Sequence, residues 1–308
     1  MAQPYRILSF DGGGLRGAFS ARVLTRLAGE FPALVPNASM LAGTSTGSII
    51  AVGLAQGKTP TELVDLYRKI GPAVFQKTML DDLEHLWGIT HSKYGTANRL
   101  QVLSEELQDV PLKQLEKDVV VATFDLGNDV ARDQYNNKCW APKFYHNVSG
   151  PDSDGDVSCI EVMMKSSAAP IYFPIFKNYV DGGVIANNPA MCAVAQALDP
   201  RNDVKHAHGD IRLLSIGTGS SPATVSSVDG EWGLTQWGMK IIDLVSDASV
   251  GLPDFQCRQI LGDCYRRIDT QFREPMPMDD PSKITELVAH ADQIDIGPYV
   301  TWLNEFWV

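Results

Sequence analysis

A serine set between glycines, Gly43-Thr-Ser-Thr-Gly47, has the G-x-S-x-G spacing of a nucleophile elbow. In such an elbow a strand turns sharply into a helix, lifting the Ser45 hydroxyl clear of the sheet, and the serine backbone is held in a conformation that costs about 1 to 3 kcal/mol. Gly43 and Gly47 fit this geometry because a side chain at either position would strike the neighbouring strand or helix. A second run, Asp11-Gly-Gly-Gly-Leu-Arg-Gly17, places the N–H groups of Gly12, Gly13 and Gly14 where they can converge on an anion at a helix start. Such a nest suits a phosphate or the oxyanion of a tetrahedral intermediate. Arg16 within it holds the loop in shape, meets a phosphate, or makes a structural salt bridge. A third run, Asp181-Gly182-Gly183, ends a short strand in a glycine turn, at which a hydroxyl can approach the carboxylate closely.

Each of these runs has a competing reading. Gly12, Gly14 and Gly17 fit the G-x-G-x-x-G spacing of dinucleotide sites, which require an acid about 20 residues further on to bind ribose. Glu30 is the nearest acid, but it stands before Phe31-Pro32 at a predicted helix end and closes no second strand, so the cofactor reading is disfavoured. Ser45 needs a base, and the chain holds six histidines, His85, His91, His146, His206, His208 and His290. The chain order of an α/β-hydrolase triad admits His206, His208 or His290 beside Asp181. None has a motif-like setting: two lie in the polar stretch 202–210, and His290 follows a predicted amphipathic helix. Asp152-Ser-Asp-Gly-Asp156 resembles the start of an EF-hand loop, but the required glycine and glutamate are replaced by Val157 and Met163, so no metal site is expected.

The elements that must position these residues follow from periodicity. An apolar run at 5–10 reads as a strand leading through the glycines into a helix carrying Leu15, Phe19, Val23, Leu24 and Leu27. The arrangement repeats at 40–42, where a strand enters the serine turn and an apolar helix containing Ile49, Ile50, Val52 and Leu54 follows. Helices are expected over 61–75, after Thr59-Pro60, over 97–107 and over 189–197. Residues 76–96 read as an excursion, either a lid or a packed surface loop. The β-branched run 119–124 suits a central strand covered on both faces, 213–216 is a similar strand, and 177–180 is a shorter one. A long loop is expected over 217–230. The sum is an α/β fold, a single three-layer domain over 1–308, with a mainly parallel central sheet and helices on both faces.

Composition narrows the function classes. With 44% hydrophobic and 20% charged residues, the chain is neither disordered nor fibrous. A net charge of −11 argues against binding a nucleic-acid polymer or attaching non-specifically to an anionic membrane. The only basic cluster, Arg258, Arg266, Arg267 and Arg273, reads as a solvated face. Five scattered cysteines, an N-terminus without a leader pattern and the lack of an apolar run of about 18 residues point to a cytoplasmic protein.

Taken together and in this order, the three glycine-rich runs closely resemble the patatin-like phospholipase family. Ser166-Ser-Ala-Ala-Pro-Ile-Tyr-Phe-Pro174, Asn187-Asn-Pro and Ser215-Ile-Gly-Thr-Gly resemble further family segments. The resemblance spans about 5–220 and leaves 221–308 unmatched. It implies a Ser/Asp dyad without histidine: Ser45 attacks a lipid ester, Asp181 accepts its proton, and Gly12, Gly13 and Gly14 supply the oxyanion hole. Arg16, Gly43, Gly47, Gly182 and Gly183 would support them, with no cofactor or metal. The implied activity is of the phospholipase A or lysophospholipase type, on phospholipid or a related ester, with peripheral membrane contact. A small-ester esterase, an acyltransferase and a binding module with a decayed site are the rivals. The unmatched C-terminal third also admits an effector switched on by a cyclic nucleotide.

Overall fold

The structure is a computed structural model describing residues 4–75, 92–127, 137–222, 232–233, 237–238 and 240–308. Most of the excursion at 76–96 and of the loop at 217–230 therefore lies outside the described residues. Seven strands, β1 (Tyr5–Phe10), β2 (Met40–Thr44), β3 (Asp118–Asp125), β4 (Ala141–His146), β5 (Tyr179–Asp181), β6 (Ile211–Ile216) and β7 (Tyr265–Ile268), form one sheet. Its order is β4-β3-β2-β1-β6-β7, with β5 paired to β3. All neighbours from β3 to β7 along this order are parallel, whereas β4 and β5 run antiparallel to β3.

Alternation along each strand sends side chains to opposite faces, and both faces are buried. Leu8, Phe10, Leu41, Val119, Val121 and Leu214 belong to one core, while Ile7, Met40, Ala42, Val120, Ile211 and Leu213 belong to the other. The first core receives α1 (Gly17–Glu30), α2 (Thr46–Ala55), α3 (Pro60–Phe75), α4 (Thr96–Glu106) and α5 (Cys159–Ser166). After β5 come a single turn, α6 (Gly183–Ala186), and then α7 (Ala190–Ala197). The second core receives Ala193, Val194 and Ala197 of α7, with Cys257 and Leu261 of α8 (Lys240–Leu261). A mainly parallel sheet between two helical layers is thus the architecture the periodicities predict.

The C-terminal third joins this core. Leu287 of α9 (Ile284–Asp292) and Trp302 and Leu303 of α10 (Gly297–Phe306) are buried with Leu24 and Leu27 of α1, and the Trp307 indole N–H donates to the Leu34 carbonyl at 2.9 Å. Two expectations need correction. The short strand is Tyr179–Asp181, because Lys177 (φ 46°) and Asn178 (φ 64°) adopt left-handed conformations that reverse the chain just before it. His290 lies within α9 instead of following a helix, because the apolar face continues to Ala291.

Candidate active site

Strand β3 has two edges, and their use decides where the chemistry sits. Along one edge β4 pairs from Val120↔His146 to Asp125↔Ala141. On the other, β2 pairs from Met40↔Asp118 to Thr44↔Ala122, and β5 continues the same lane with Thr123↔Asp181 to Asp125↔Tyr179. Because β5 runs opposite to β2, the two strands meet end to end, and Ser45 leaves one where Asp181 ends the other. Both side chains line one pocket there, with the Ser45 hydroxyl near enough to the Asp181 carboxylate to favour its charged form.

Ser45 has φ 53° and ψ −120°, the strained turn that an elbow needs. Its N–H donates to the Ser166 hydroxyl at 2.8 Å, which itself donates to the Ala122 carbonyl at 2.7 Å, so the strained residue is tied to β3. The Ser48 hydroxyl donates to the Ser45 carbonyl at 2.6 Å. A Cβ on Gly43 would stand 2.2 Å from the Gly47 carbonyl oxygen, and one on Gly47 would stand 2.1 Å from that of Phe10. Close backbone approach therefore requires both glycines. Gly182 packs in the same way, its Cβ position lying 2.3 Å from the Ala122 carbonyl oxygen.

Asp181 is buried, and Gly183 N–H donates to its Oδ1 at 2.7 Å. Burial pushes its carboxyl up from the ordinary range to about 6, against the opposing pull of the Ser45 hydroxyl, the Gly183 N–H and Arg99. Arg99 is buried on α4, donates to the carbonyls of Ser167 and Met164, and lies 4.4 Å from the Phe173 ring centroid. Only the ionised carboxylate can accept the Ser45 proton, so kcat/KM should fall as pH drops through about 6. A pH–rate profile on a soluble ester checks this. An acid limb near the ordinary aspartate value would contradict the environment described.

The glycine loop is clamped on three sides. Gly12 N–H donates to the Asn187 carbonyl at 2.9 Å, and the Thr218 hydroxyl donates to the Gly12 carbonyl at 2.8 Å. Leu15 N–H donates to the Met278 carbonyl at 2.7 Å. Gly12 thus spends its N–H within the protein, which corrects the expectation that all three glycines face an oxyanion. Gly13 and Gly14 line the same pocket as Ser45 and Asp181. Arg16 is buried directly after the loop, and its charge acts on Asp247 of α8.

The C-terminal third supplies a residue that sequence reasoning misplaced. Arg267, read as part of a solvated face, has a side chain only 5% exposed. It donates to Asp11 Oδ2 at 2.6 Å, Asp269 Oδ2 at 2.6 Å and Ser215 Oγ at 2.7 Å. Burial opposes the charge on Arg267, but Asp11 and Asp269 more than offset this and hold the guanidinium firmly protonated. Asp269 also accepts Gly219 N–H at 2.9 Å. The pair thereby ties the root of the glycine loop to β6 and β7.

Ser45 and Asp181 sit in a mainly apolar pocket whose walls include Leu15, Ile49, Ile70, Val74, Leu103 and Phe173. No histidine among the described residues lines it. His206 stacks on Tyr5 at the far end of β1, with ring centroids 4.0 Å apart, and His290 packs on Phe272. The carboxylates of 152–156 are shared among separate cations: Asp152 pairs with Arg201, Asp154 with Lys143 at 2.6 Å and Asp156 with Lys113 at 2.5 Å.

A serine elbow, a buried carboxylate within its reach and a glycine loop, all on the edge of a mainly parallel sheet, define an α/β serine ester hydrolase. Comparison with known proteins specifies which kind. The chain belongs to the patatin-like phospholipase family, whose model matches residues 8–194. It is 27% identical to Protein teg of Priestia megaterium over 330 residues, covering 98% of this chain and 99% of that protein. It is 30% identical over 279 residues to a cGAMP-activated phospholipase of Pseudomonas aeruginosa, covering 86% and 78% respectively. Identity to Patatin-like protein 2 of Arabidopsis thaliana is 28% over 297 residues, covering 81% and 70%. The protein is accordingly a serine-dependent lipid acyl hydrolase. Arg267, Asp269 and Met278 lie beyond the segment that the family model matches. Among the described residues, no helix is long and apolar enough to cross a membrane.

Proposed function

We propose that the enzyme cleaves the carboxylic esters of membrane phospholipids or lysophospholipids through an acyl-Ser45 intermediate, acting from the cytoplasm at a membrane surface. The observation that supports this is that Ser45 and Asp181, at the abutting ends of β2 and β5, line one mainly apolar pocket. Asp181 takes the serine proton as Ser45 Oγ attacks the carbonyl carbon, and the N–H groups of Gly13 and Gly14 receive the negative oxygen. Collapse of this intermediate breaks the bond to the leaving alcohol, to which Asp181 returns the proton. A water molecule, deprotonated by Asp181, then releases the fatty acid and restores the serine. The apolar walls hold the acyl chain away from water.

The test is covalent labelling by a fluorophosphonate, with the modified residue mapped by mass spectrometry, alongside release of fatty acid from phosphatidylcholine and lysophosphatidylcholine. Label on Ser45 and free fatty acid are expected. Label elsewhere overturns the mechanism, and transfer of the acyl group to an added alcohol in preference to water makes the enzyme a transferase. A second reading, activation by a cyclic dinucleotide, is favoured by the similarity to the cGAMP-activated phospholipase of Pseudomonas aeruginosa. The same assay with cGAMP decides it, and equal rates with and without the nucleotide dispose of it.

A further inference from the structure

The pocket opens at the carboxyl edge of the sheet, since Asp11, Ser45 and Gly217 directly follow parallel strands β1, β2 and β6. The elements arriving at or leaving that edge surround the mouth. Strand β4 runs antiparallel, so Trp140, just ahead of it, stands at this edge, as does Ile175, next to Phe176, which pairs across the turn with Tyr179 at the start of β5. Helix α8 lies between β6 and β7, which are parallel neighbours. It must return the chain to the opposite edge, so its first turns also stand beside the pocket. Ser246 in these turns lines the pocket, and Ser249 donates to the Gly183 carbonyl at 3.0 Å.

Large apolar side chains are exposed on all these elements. Trp140 is 73% exposed, Ile175 59%, and Ile241, Leu244 and Val245 at the head of α8 lie between 37% and 52%. Phe124 meets the Trp140 ring edge-on, with centroids 6.4 Å apart, and most of the indole stays open to solvent, as do large parts of the other four side chains. Resting on the lipid-hydrolase reading of the site, we infer that Trp140, Ile175, Ile241, Leu244 and Val245 form the surface by which the enzyme seats itself on a zwitterionic lipid bilayer. An acyl chain must travel from the bilayer into an apolar pocket, and every methylene wetted on the way raises the barrier. A rim of apolar side chains pressed into the leaflet keeps that route dry. Tryptophan, with an apolar body and a polar N–H, is suited to this depth. Charge selects the kind of bilayer: at −11 the protein is repelled by an anionic surface, so insertion of side chains, not Coulomb attraction, supplies the binding.

Flotation of the full-length Ser45→Ala protein with phosphatidylcholine vesicles tests this without turnover. Binding should be indifferent to salt and gain nothing from added phosphatidylglycerol. Leu244→Ser/Val245→Ser and Trp140→Ser should each weaken partition at least about tenfold, while Val204→Ser, at the opposite edge, should not. With Ser45 intact, the rim variants should hydrolyse a monomeric short-chain ester at the parent rate, which also shows that they fold, and lose activity only on vesicles. Rim variants that bind as the parent does overturn the inference, as does binding that needs phosphatidylglycerol and is lost in high salt. A parent dimer split by the rim substitutions, with vesicle affinity unchanged, would make the surface a contact between copies. A protein that binds vesicles through the rim yet takes no fluorophosphonate label on Ser45 would instead overturn the catalytic reading alone.

Discussion

Ser45→Ala and Asp181→Asn proteins should each hydrolyse phospholipid at least about 10⁴-fold more slowly than the parent, the scale seen when a member of a nucleophile–base pair is removed. Alanine leaves no atom to carry the acyl group. Asparagine keeps the size of the aspartate and can still accept the Gly183 N–H, but cannot take the serine proton at neutral pH. The two variants differ in stability in an informative way. Burial disfavours the ionised Asp181, so Asp181→Asn should melt no lower than the parent, which identifies its inactivity as a loss of chemistry and not of fold. Steady-state kinetics on mixed micelles, with thermal melts alongside, check both expectations. Substituting His206 or His290 should leave the rate nearly unchanged; a collapse at either would show that a histidine takes the proton.

Arg267→Met should be the most damaging substitution outside the dyad. It leaves the buried Asp11 carboxylate, with the partly exposed Asp269 beside it, without its cation, and removing one partner of a buried ion pair costs about 3–5 kcal/mol. For a chain of this size that lowers Tm by on the order of 10 °C. Activity should fall even below the melting range, because Asp11 anchors the loop that carries Gly13 and Gly14. Arg267→Lys should rescue little, since an ammonium cannot span Asp11, Asp269 and Ser215 as the guanidinium fork does. Adding Asp11→Asn to Arg267→Met should restore part of the stability but not the rate. Restored activity in that double variant would mean that the pair serves the fold alone.

What could be read in the sequence was what local backbone geometry dictates. The glycines around Ser45 mark an elbow because no other residue tolerates carbonyl oxygens about 2 Å from its Cβ, and the close approach of Gly182 to β3 leaves the same mark. Five of the strands and the mainly parallel character of the sheet followed from apolar runs separated by helices, whereas β4 and β7, with exposed or charged residues among their own, were not read as strands. Residues whose roles depend on long-range register were not legible. Arg266 and Arg267 are indistinguishable in composition; only the pairing Ser215↔Arg267 in the sheet turns one of them inward. Recognising 265–268 as a strand, with Tyr265 and Ile268 as its buried ends, was the one available signal. Ser166 and Arg99 were missed for a similar reason, because their carbonyl and N–H partners come from distant segments. Gly12 shows the reverse case: its motif is plain, but the Asn187 carbonyl that occupies its N–H could be seen only in the folded chain.

The end-to-end meeting of β2 and β5 along β3 has a bearing on biosynthesis. During translation the ribosome releases the nucleophile early, while the lane beside it stays half empty until β5 emerges, and the guanidinium that braces the oxyanion loop arrives later still, on the last strand of the sheet. A growing polypeptide therefore carries its serine for most of its synthesis with no means of using it. A lipid acyl hydrolase assembled in this order is inert while it is being made, and a protease that clipped away β7 would return it to that condition.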